Sequence, residues 1–238
     1  MSETQARPFA VVTGGSNGIG LELAKEFVGG GYDVLIAAED DGRLAEAAQV
    51  LSASGAGVER HAGDLSTEEG VDALADAVRR TGRPVDVLCV NAGYGLGGPF
   101  VETDLQRELK MIDLNCRGAV QLTKLVLKDM VARDSGKILI TSSIAATMPD
   151  PFEAVYGSTK VFLRWFGEAL RNELKDTGVD VTVLMPSMTE TDFFHRADMD
   201  DTRAGQAKKD DPADVAKAAF KALRQGKDKV VPRSKSVV

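Results

Sequence analysis

Tyr156 and Lys160 stand four residues apart in this chain of 238 residues. On a helix that spacing puts both side chains on one face. A free phenol titrates near pH ~10, too high to trade protons easily at neutral pH. An ammonium beside it favours the phenolate and lowers that value. The pair therefore has the makings of an acid/base group. Tyr-x-x-x-Lys also arises by chance, as a surface lysine beside a half-buried tyrosine. Ser142 and Ser143 follow the apolar run Lys137–Thr141. A hydroxyl there can hold a substrate oxygen while the phenol gives or takes a proton. Either serine fits that role, and so does a plain strand-end turn.

A second group sits near the start. Phe9-Ala10-Val11-Val12-Thr13 runs into Gly14-Gly15-Ser16-Asn17-Gly18-Ile19-Gly20 and then into a helical pattern. Glycine lets the backbone turn sharply and approach a phosphate closely. The helix N-terminus behind it offers free N–H groups and a partial positive charge. A glycine-rich turn alone says little; at the first strand-to-helix junction it predicts a dinucleotide site.

The elements that must position these groups alternate. Strands are predicted at Phe9–Thr13, Asp33–Ala38, Val58–Ala62, Val85–Val90, Lys137–Thr141 and Val179–Leu184, with a short closing strand at Lys229–Pro232. Between them lie helical patterns at Gly18–Gly29, Gly42–Ser52, Thr67–Arg80, Thr103–Arg133 and Phe152–Lys175, and a last one from Pro212 to Arg224. Alternating strands and helices of this length predict βαβ units. Helices on both faces explain why most strands are apolar throughout. The expectation is a Rossmann-type, doubly wound α/β domain spanning residues 1–238, with no linker or repeat. Residues 186–211 carry no clear element and read as a substrate lid.

Composition bounds the partners. The 29 basic and 36 acidic side chains leave a net charge of −7. An acidic chain without a basic stripe is a poor match for nucleic acid or anionic lipid. No apolar run is long enough to span a membrane. Met1–Pro8 lacks the basic-then-apolar pattern of a signal peptide, so the expected location is cytoplasmic. Cys89 and Cys116 lack metal-ligand spacing and read as free thiols, and no metal site is expected.

Taken together, the motifs resemble the short-chain dehydrogenase/reductase family. The glycine spacing is Gly-x-x-x-Gly-x-Gly, over Gly14, Gly18 and Gly20. Asn91-Ala92-Gly93 follows the fourth strand, Asp64-Leu65 the third. Asn115-x-x-Gly118 lies in the long helix. Ser143 precedes Tyr156 by thirteen residues, and Pro186 and Thr191 follow the sixth strand. The resemblance covers about Phe9 to Pro232. It implies a sheet of about seven mostly parallel strands in the order 3-2-1-4-5-6-7. It implies catalysis of hydride transfer between a nicotinamide and a secondary alcohol or ketone by Ser143, Tyr156 and Lys160. Asn115 would help hold a proton-relay water near Lys160. The cofactor would meet Gly14, Ser16, Asn17, Gly18, Ile19, Gly20, Glu39, Asp64, Leu65, Asn91, Ala92 and Gly93. Tyr156, Lys160, Pro186, Thr189 and Thr191 would complete that site. Ser187 departs from the family, which usually has glycine there.

Cofactor choice is read at the end of the second strand. The family's NAD-type Asp would fall at Ala38 and its NADP-type Arg at Glu39, and neither is present. Glu39, Asp40 and Asp41 would repel a 2′-phosphate, so NAD(H) is expected over NADP(H), with Arg43 as the counter-argument. Tyr94, Ala145, Phe152, Met188, Phe193 and Phe194 are the expected substrate-lining residues, which points to an apolar substrate. His195 reads as a surface residue of the lid. The resemblance also implies a homodimer or homotetramer, built through exposed apolar residues of the two longest helices, Leu163 and Phe166 among them. Trp165 reads as core or subunit contact. Two other functions fit less well. An epimerase or dehydratase with tightly held NAD usually has another glycine spacing and a longer C-terminal region. A nicotinamide-binding redox sensor tends to lose the Tyr–Lys pair.

Overall fold

The computed structural model of the protein describes residues 6–191 and 209–232. Its centre is a seven-stranded sheet in the order β3-β2-β1-β4-β5-β6-β7. The strands are β1 (Phe9–Thr13), β2 (Asp33–Ala38), β3 (Val58–Ala62), β4 (Val87–Val90), β5 (Gly136–Thr141), β6 (Val179–Leu184) and β7 (Lys229–Val230). Every pairing is parallel. Strand order reverses between β1 and β4, which opens a crevice at the carboxyl ends of those strands.

Helices α1 (Gly18–Gly29), α2 (Asp41–Ser52), α3 (Glu68–Arg80), α4 (Leu105–Ile112), α5 (Ala119–Ala132), α6 (Ala154–Glu173) and α7 (Pro212–Arg224) complete the described elements. Side chains alternate across each strand. Val11 and Ile138 enter a core shared with Leu74 of α3, Leu122 of α5 and Leu163 of α6. Ala10 and Val12 enter a second core with Leu23 of α1, Leu44 of α2 and Phe220 of α7. Burial on both faces makes the central strands apolar runs. Edge strand β3 exposes Glu59 and Arg60.

Several boundaries differ from the sequence expectation. The helix expected over Thr103–Arg133 begins at Leu105, because the Asp104 carboxylate accepts from the Arg107 N–H and caps it. It is then interrupted by a π-helical turn, Asp113–Gly118. Such a turn inserts one residue without disturbing the apolar spacing on either side. At Gly118 a β-carbon would lie 2.2 Å from the Leu65 carbonyl oxygen, so the turn hugs the loop after β3. Helix α6 starts at Ala154 instead of Phe152, whose φ of +67° is left-handed and not helical. Strand β4 starts at Val87; Asp86 before it bonds Phe9 and Lys137 through its backbone and also accepts from the Phe9 N–H through its side chain at 2.7 Å.

The apolar face of α6 is also rotated from expectation. Leu163 is only 2% exposed and Phe166 packs on the same core. The residues that face outward are Phe162 and Trp165, the latter 69% exposed and therefore not core. On α4, Leu105, Leu109 and Ile112 form a second exposed apolar stripe at helical spacing.

Candidate active site

A cavity of about 1150 Å³ occupies the crevice above β1, β4 and β5. The glycine loop forms one wall. Gly14 has φ +67°, and a β-carbon on Gly20 would lie 2.0 Å from the Gly14 carbonyl oxygen. Only glycine allows that approach. Helix α1 then begins at Gly18 with its first turn on the cavity wall. The N–H groups of that turn have no acceptor within the helix, so they present positive charge to a phosphate. The close backbone approach and helix end fit a dinucleotide pyrophosphate.

Strand ends hold this wall in register. The Thr13 hydroxyl donates to the Cys89 carbonyl at 3.1 Å and accepts from the N–H groups of Asn91 and Ala92. The Asn91 amide donates to the Thr13 carbonyl, and its oxygen accepts from the Thr141 hydroxyl. Asn91 thus ties β1, β4 and β5 together where they meet the cavity.

Ser143, Tyr156 and Lys160 converge at the far end of the same cavity. The Ser143 hydroxyl bonds the Tyr156 phenol. Ser142 is turned away, its hydroxyl donating to the Lys160 carbonyl at 2.7 Å. The Lys160 ammonium donates to the Thr141 carbonyl at 3.2 Å and lies 5.6 Å from the Tyr156 ring centre. Burial pulls Lys160 down to about 8. Burial pushes the Tyr156 phenol above its ordinary value, and the Glu153 carboxyl adds to that push. The opposing pull comes from Ser143, where the sequence pointed to Lys160.

Asn115 does not reach the cavity wall. It is 0% exposed and projects from the π-helical turn. Its amide donates to the Tyr94 carbonyl and to the Thr159 hydroxyl, both at 3.0 Å, and its oxygen accepts from the Tyr94 N–H. A β-carbon on Gly93 would lie 2.9 Å from the Asn115 oxygen and 3.5 Å from Lys160 Nζ, so Asn115 backs directly onto the wall that Gly93 and Lys160 form.

The opposite end of the cavity is charged. The Lys110 ammonium lies 3.0 Å from Asp64 and 3.4 Å from Glu39. Burial raises Asp64, but hydrogen bonds from Ser66 and then Lys110 outweigh it and hold the carboxyl below its usual range. Asp40 is the N-cap of α2, accepting from the Arg43 N–H, and Asp41 pairs with Arg60. Of the acidic run, Glu39 is therefore the residue left to face the cavity without a structural duty in α2. Lys110 was not foreseen from sequence; Arg107 also lines this cavity.

The other expected cofactor residues that the structure describes, from Gly14 to Thr191, line the cavity, as do Tyr94, Ala145 and Met188. Phe152 does not: its left-handed backbone turns it outward, and it is 66% exposed. Phe193 and Phe194 lie outside the described residues, as does His195. The segment before them is anchored at its base. Ser187 donates to the Asp210 carboxylate, and Asp210 N–H donates to the Met188 carbonyl at 2.7 Å. Thr191 packs against Gly18 of the glycine loop.

The family model for short chain dehydrogenase matches residues 8–202. The chain belongs to the short-chain dehydrogenase/reductase family. A probable NADP-dependent dehydrogenase from Haemophilus influenzae is 37% identical to it over 200 residues, 83% of this chain and 78% of that protein. A short-chain dehydrogenase from Sphingobium yanoikuyae, solved in complex with NADPH, matches with a TM-score of 0.89 at 27% identity, covering 97% of this chain and 89% of that one. A short chain dehydrogenase/reductase from Burkholderia phymatum, solved in complex with NAD, matches with a TM-score of 0.89 at 25% identity, covering 96% and 89%. This short-chain dehydrogenase/reductase is an NAD(P)-dependent oxidoreductase. Among its described residues no helix is long and apolar enough to cross a membrane.

Proposed function

We propose that the enzyme transfers hydride reversibly between a nicotinamide cofactor and a secondary alcohol or ketone. The observation that carries this reading is the convergence of Ser143, Tyr156 and Lys160 at one end of a cavity whose wall is the glycine loop. When bound, the nicotinamide gives or takes the hydride and, in its oxidised form, adds a positive charge that favours phenolate. In reduction Tyr156 gives its phenol proton to the substrate oxygen, and Ser143 holds that oxygen through its hydroxyl. In oxidation the Tyr156 phenolate takes the alcohol proton. Lys160 holds ribose hydroxyls and supplies charge beside the phenol, and Asn115 positions the Tyr94 and Thr159 segments around it.

The reading favours NAD, because Glu39 places a carboxylate where a ribose hydroxyl can donate to it. Residues 186–211 serve as the lid, with Ser187 and Asp210 fastening its base. The chain acts as one domain in the cytoplasm. Two copies pair through the exposed apolar residues of α4 and α6, with Trp165 at that contact. Cofactor absorbance followed with a panel of secondary alcohols and ketones, under both cofactors, tests the reaction. Turnover coupled to cofactor oxidation state supports it. Nucleotide binding with no turnover across the panel points to a sensor, and product formation without net cofactor change to an epimerase or dehydratase.

A further inference from the structure

Lys110 brings a cation to the end of the cavity where acidic residues gather. It projects from α4, whereas Glu39 and Asp64 follow the ends of β2 and β3. Its ammonium lies 3.0 Å from Asp64 and 3.4 Å from Glu39. The end of β2 is where a carboxylate receives the ribose hydroxyl of NAD. An ammonium within bonding distance of that carboxylate faces whatever the ribose 2′ position carries.

The two contacts differ in firmness. Asp64 is fixed, since it accepts from the Ser66 N–H at 2.9 Å and from the Ser66 hydroxyl at 2.6 Å. It therefore anchors Lys110. Glu39 is held less: its side chain is 72% exposed, and its partner among the described residues is Lys110. An ion pair that exposed contributes little, so Glu39 can turn into water at small cost. The neighbouring acids are engaged elsewhere, Asp40 in capping α2 and Asp41 with Arg60. With Glu39 turned outward, an anchored ammonium is left beside the ribose. Arg43, in the first turn of α2, lines the same wall, and the N-terminus of that helix adds partial positive charge.

We propose that Lys110 is the 2′-phosphate partner that lets this enzyme use NADP as well as NAD. Glu39 receives the ribose hydroxyl of NAD; for NADP, Glu39 turns to solvent and the Lys110 ammonium takes the phosphate. Lysine binds phosphate as a point charge and needs no two-pronged geometry. The cation comes from α4, 71 residues along the chain from the strand end that carries the family's usual discriminating side chain. The inference rests on the reading that Glu39 faces the ribose, and extends it to a second cofactor.

Adenosine 2′,5′-bisphosphate and adenosine 5′-monophosphate present the two ribose forms without the nicotinamide, so calorimetric titration reads them apart from turnover. Their ratio of dissociation constants within each variant cancels any general loss of folding. Lys110→Met weakens the bisphosphate by about three- to fivefold and leaves the monophosphate within about twofold. Lys110→Arg keeps the wild-type ratio. Glu39→Gln tightens the bisphosphate and weakens the monophosphate, whose ribose loses a charged acceptor. The double variant decides between two roles for the lysine. If Lys110 touches the phosphate, Lys110→Met costs the bisphosphate as much in the Glu39→Gln background as in the wild type. If it only neutralises Glu39, the loss vanishes in that background, and the proposal is overturned. Equal losses for both nucleotides, or no binding of the bisphosphate to the wild type, overturn it too. If Glu39→Gln leaves the monophosphate unchanged while the Lys110 losses stand, the phosphate contact holds and the assignment of Glu39 to the ribose hydroxyl falls instead.

Discussion

The Lys110 ammonium bridges Asp64 and Glu39, joining α4 to the ends of β3 and β2 across the mouth of the cavity. The Asp64 hydrogen bond leads the causes that raise Lys110 above its ordinary value, so it stays charged at neutral pH. Its charge offsets that of Glu39, the carboxylate proposed to receive a ribose hydroxyl. Removing it by Lys110→Met leaves Glu39 unneutralised. The dissociation constant for NADP should then rise several-fold more than that for NAD, read by fluorescence titration with both reduced cofactors. An unchanged ratio would mean that Lys110 has no part in cofactor choice.

Glu153 makes stability depend on pH in a direction opposite to most carboxylates. Burial and then the Asp150 charge raise it from 4.5 to about 8. Between those values the folded state holds a proton that the unfolded state has released, so stability falls as pH rises. Glu153→Gln removes this loss. The Tm of the variant should gain on that of the wild type as pH goes from about 5 to about 8, and hold a constant lead above that. The same change removes a charge that raises Tyr156. The rise of alcohol oxidation with pH should therefore shift to lower pH.

Ser187→Gly restores the residue usual in the family and cuts the bond to Asp210. A hydrogen bond to a carboxylate is worth about 1.5–3 kcal/mol. The loss is local, since the bond closes only the base of 186–211. Hydrogen exchange at the amides of Glu190 and Asp210, which bond the Asp210 and Met188 carbonyls, should quicken by tenfold or more, or about 1.4 kcal/mol, while core strand amides keep their protection. Unchanged exchange there would show that the backbone bonds alone hold the base.

Asn115→Ala deletes three hydrogen bonds at a site closed to solvent and strands the Tyr94 N–H and carbonyl. The cost should be about 2–4 kcal/mol. For a chain of this size that lowers Tm by roughly 4–15 °C, measured by calorimetry. A drop in activity without a drop in Tm would move Asn115 from positioning to direct chemistry.

What was legible in the sequence depended on local signals. The glycine loop, Asn91 and the Tyr156–Lys160 spacing each follow from a short segment on one element, and the strand order followed from the family resemblance. The acidic run Glu39–Asp41 was read as one unit, but three different partners divide it: Lys110, the α2 cap and Arg60. Lys110 was missed because its partners lie 46 and 71 residues away in the chain. The π-helical turn leaves no mark on apolar spacing, so the setting of Asn115 was hidden. Phe152 was misplaced because nothing in its side chain announces a left-handed backbone. On α6 the spacing located an apolar face but not its rotation, so Leu163 and Phe166 were exchanged for Phe162 and Trp165.

The central claim is that the Tyr156 phenol moves the proton. Tyr156→Phe removes one oxygen that bonds Ser143 and leaves the ring, its packing and the glycine loop in place. Cofactor dissociation constants and steady-state turnover are measured together on this variant. Cofactor binding within about twofold of wild type and turnover reduced by roughly a hundredfold or more is the predicted result. Turnover near the wild-type rate would contradict it.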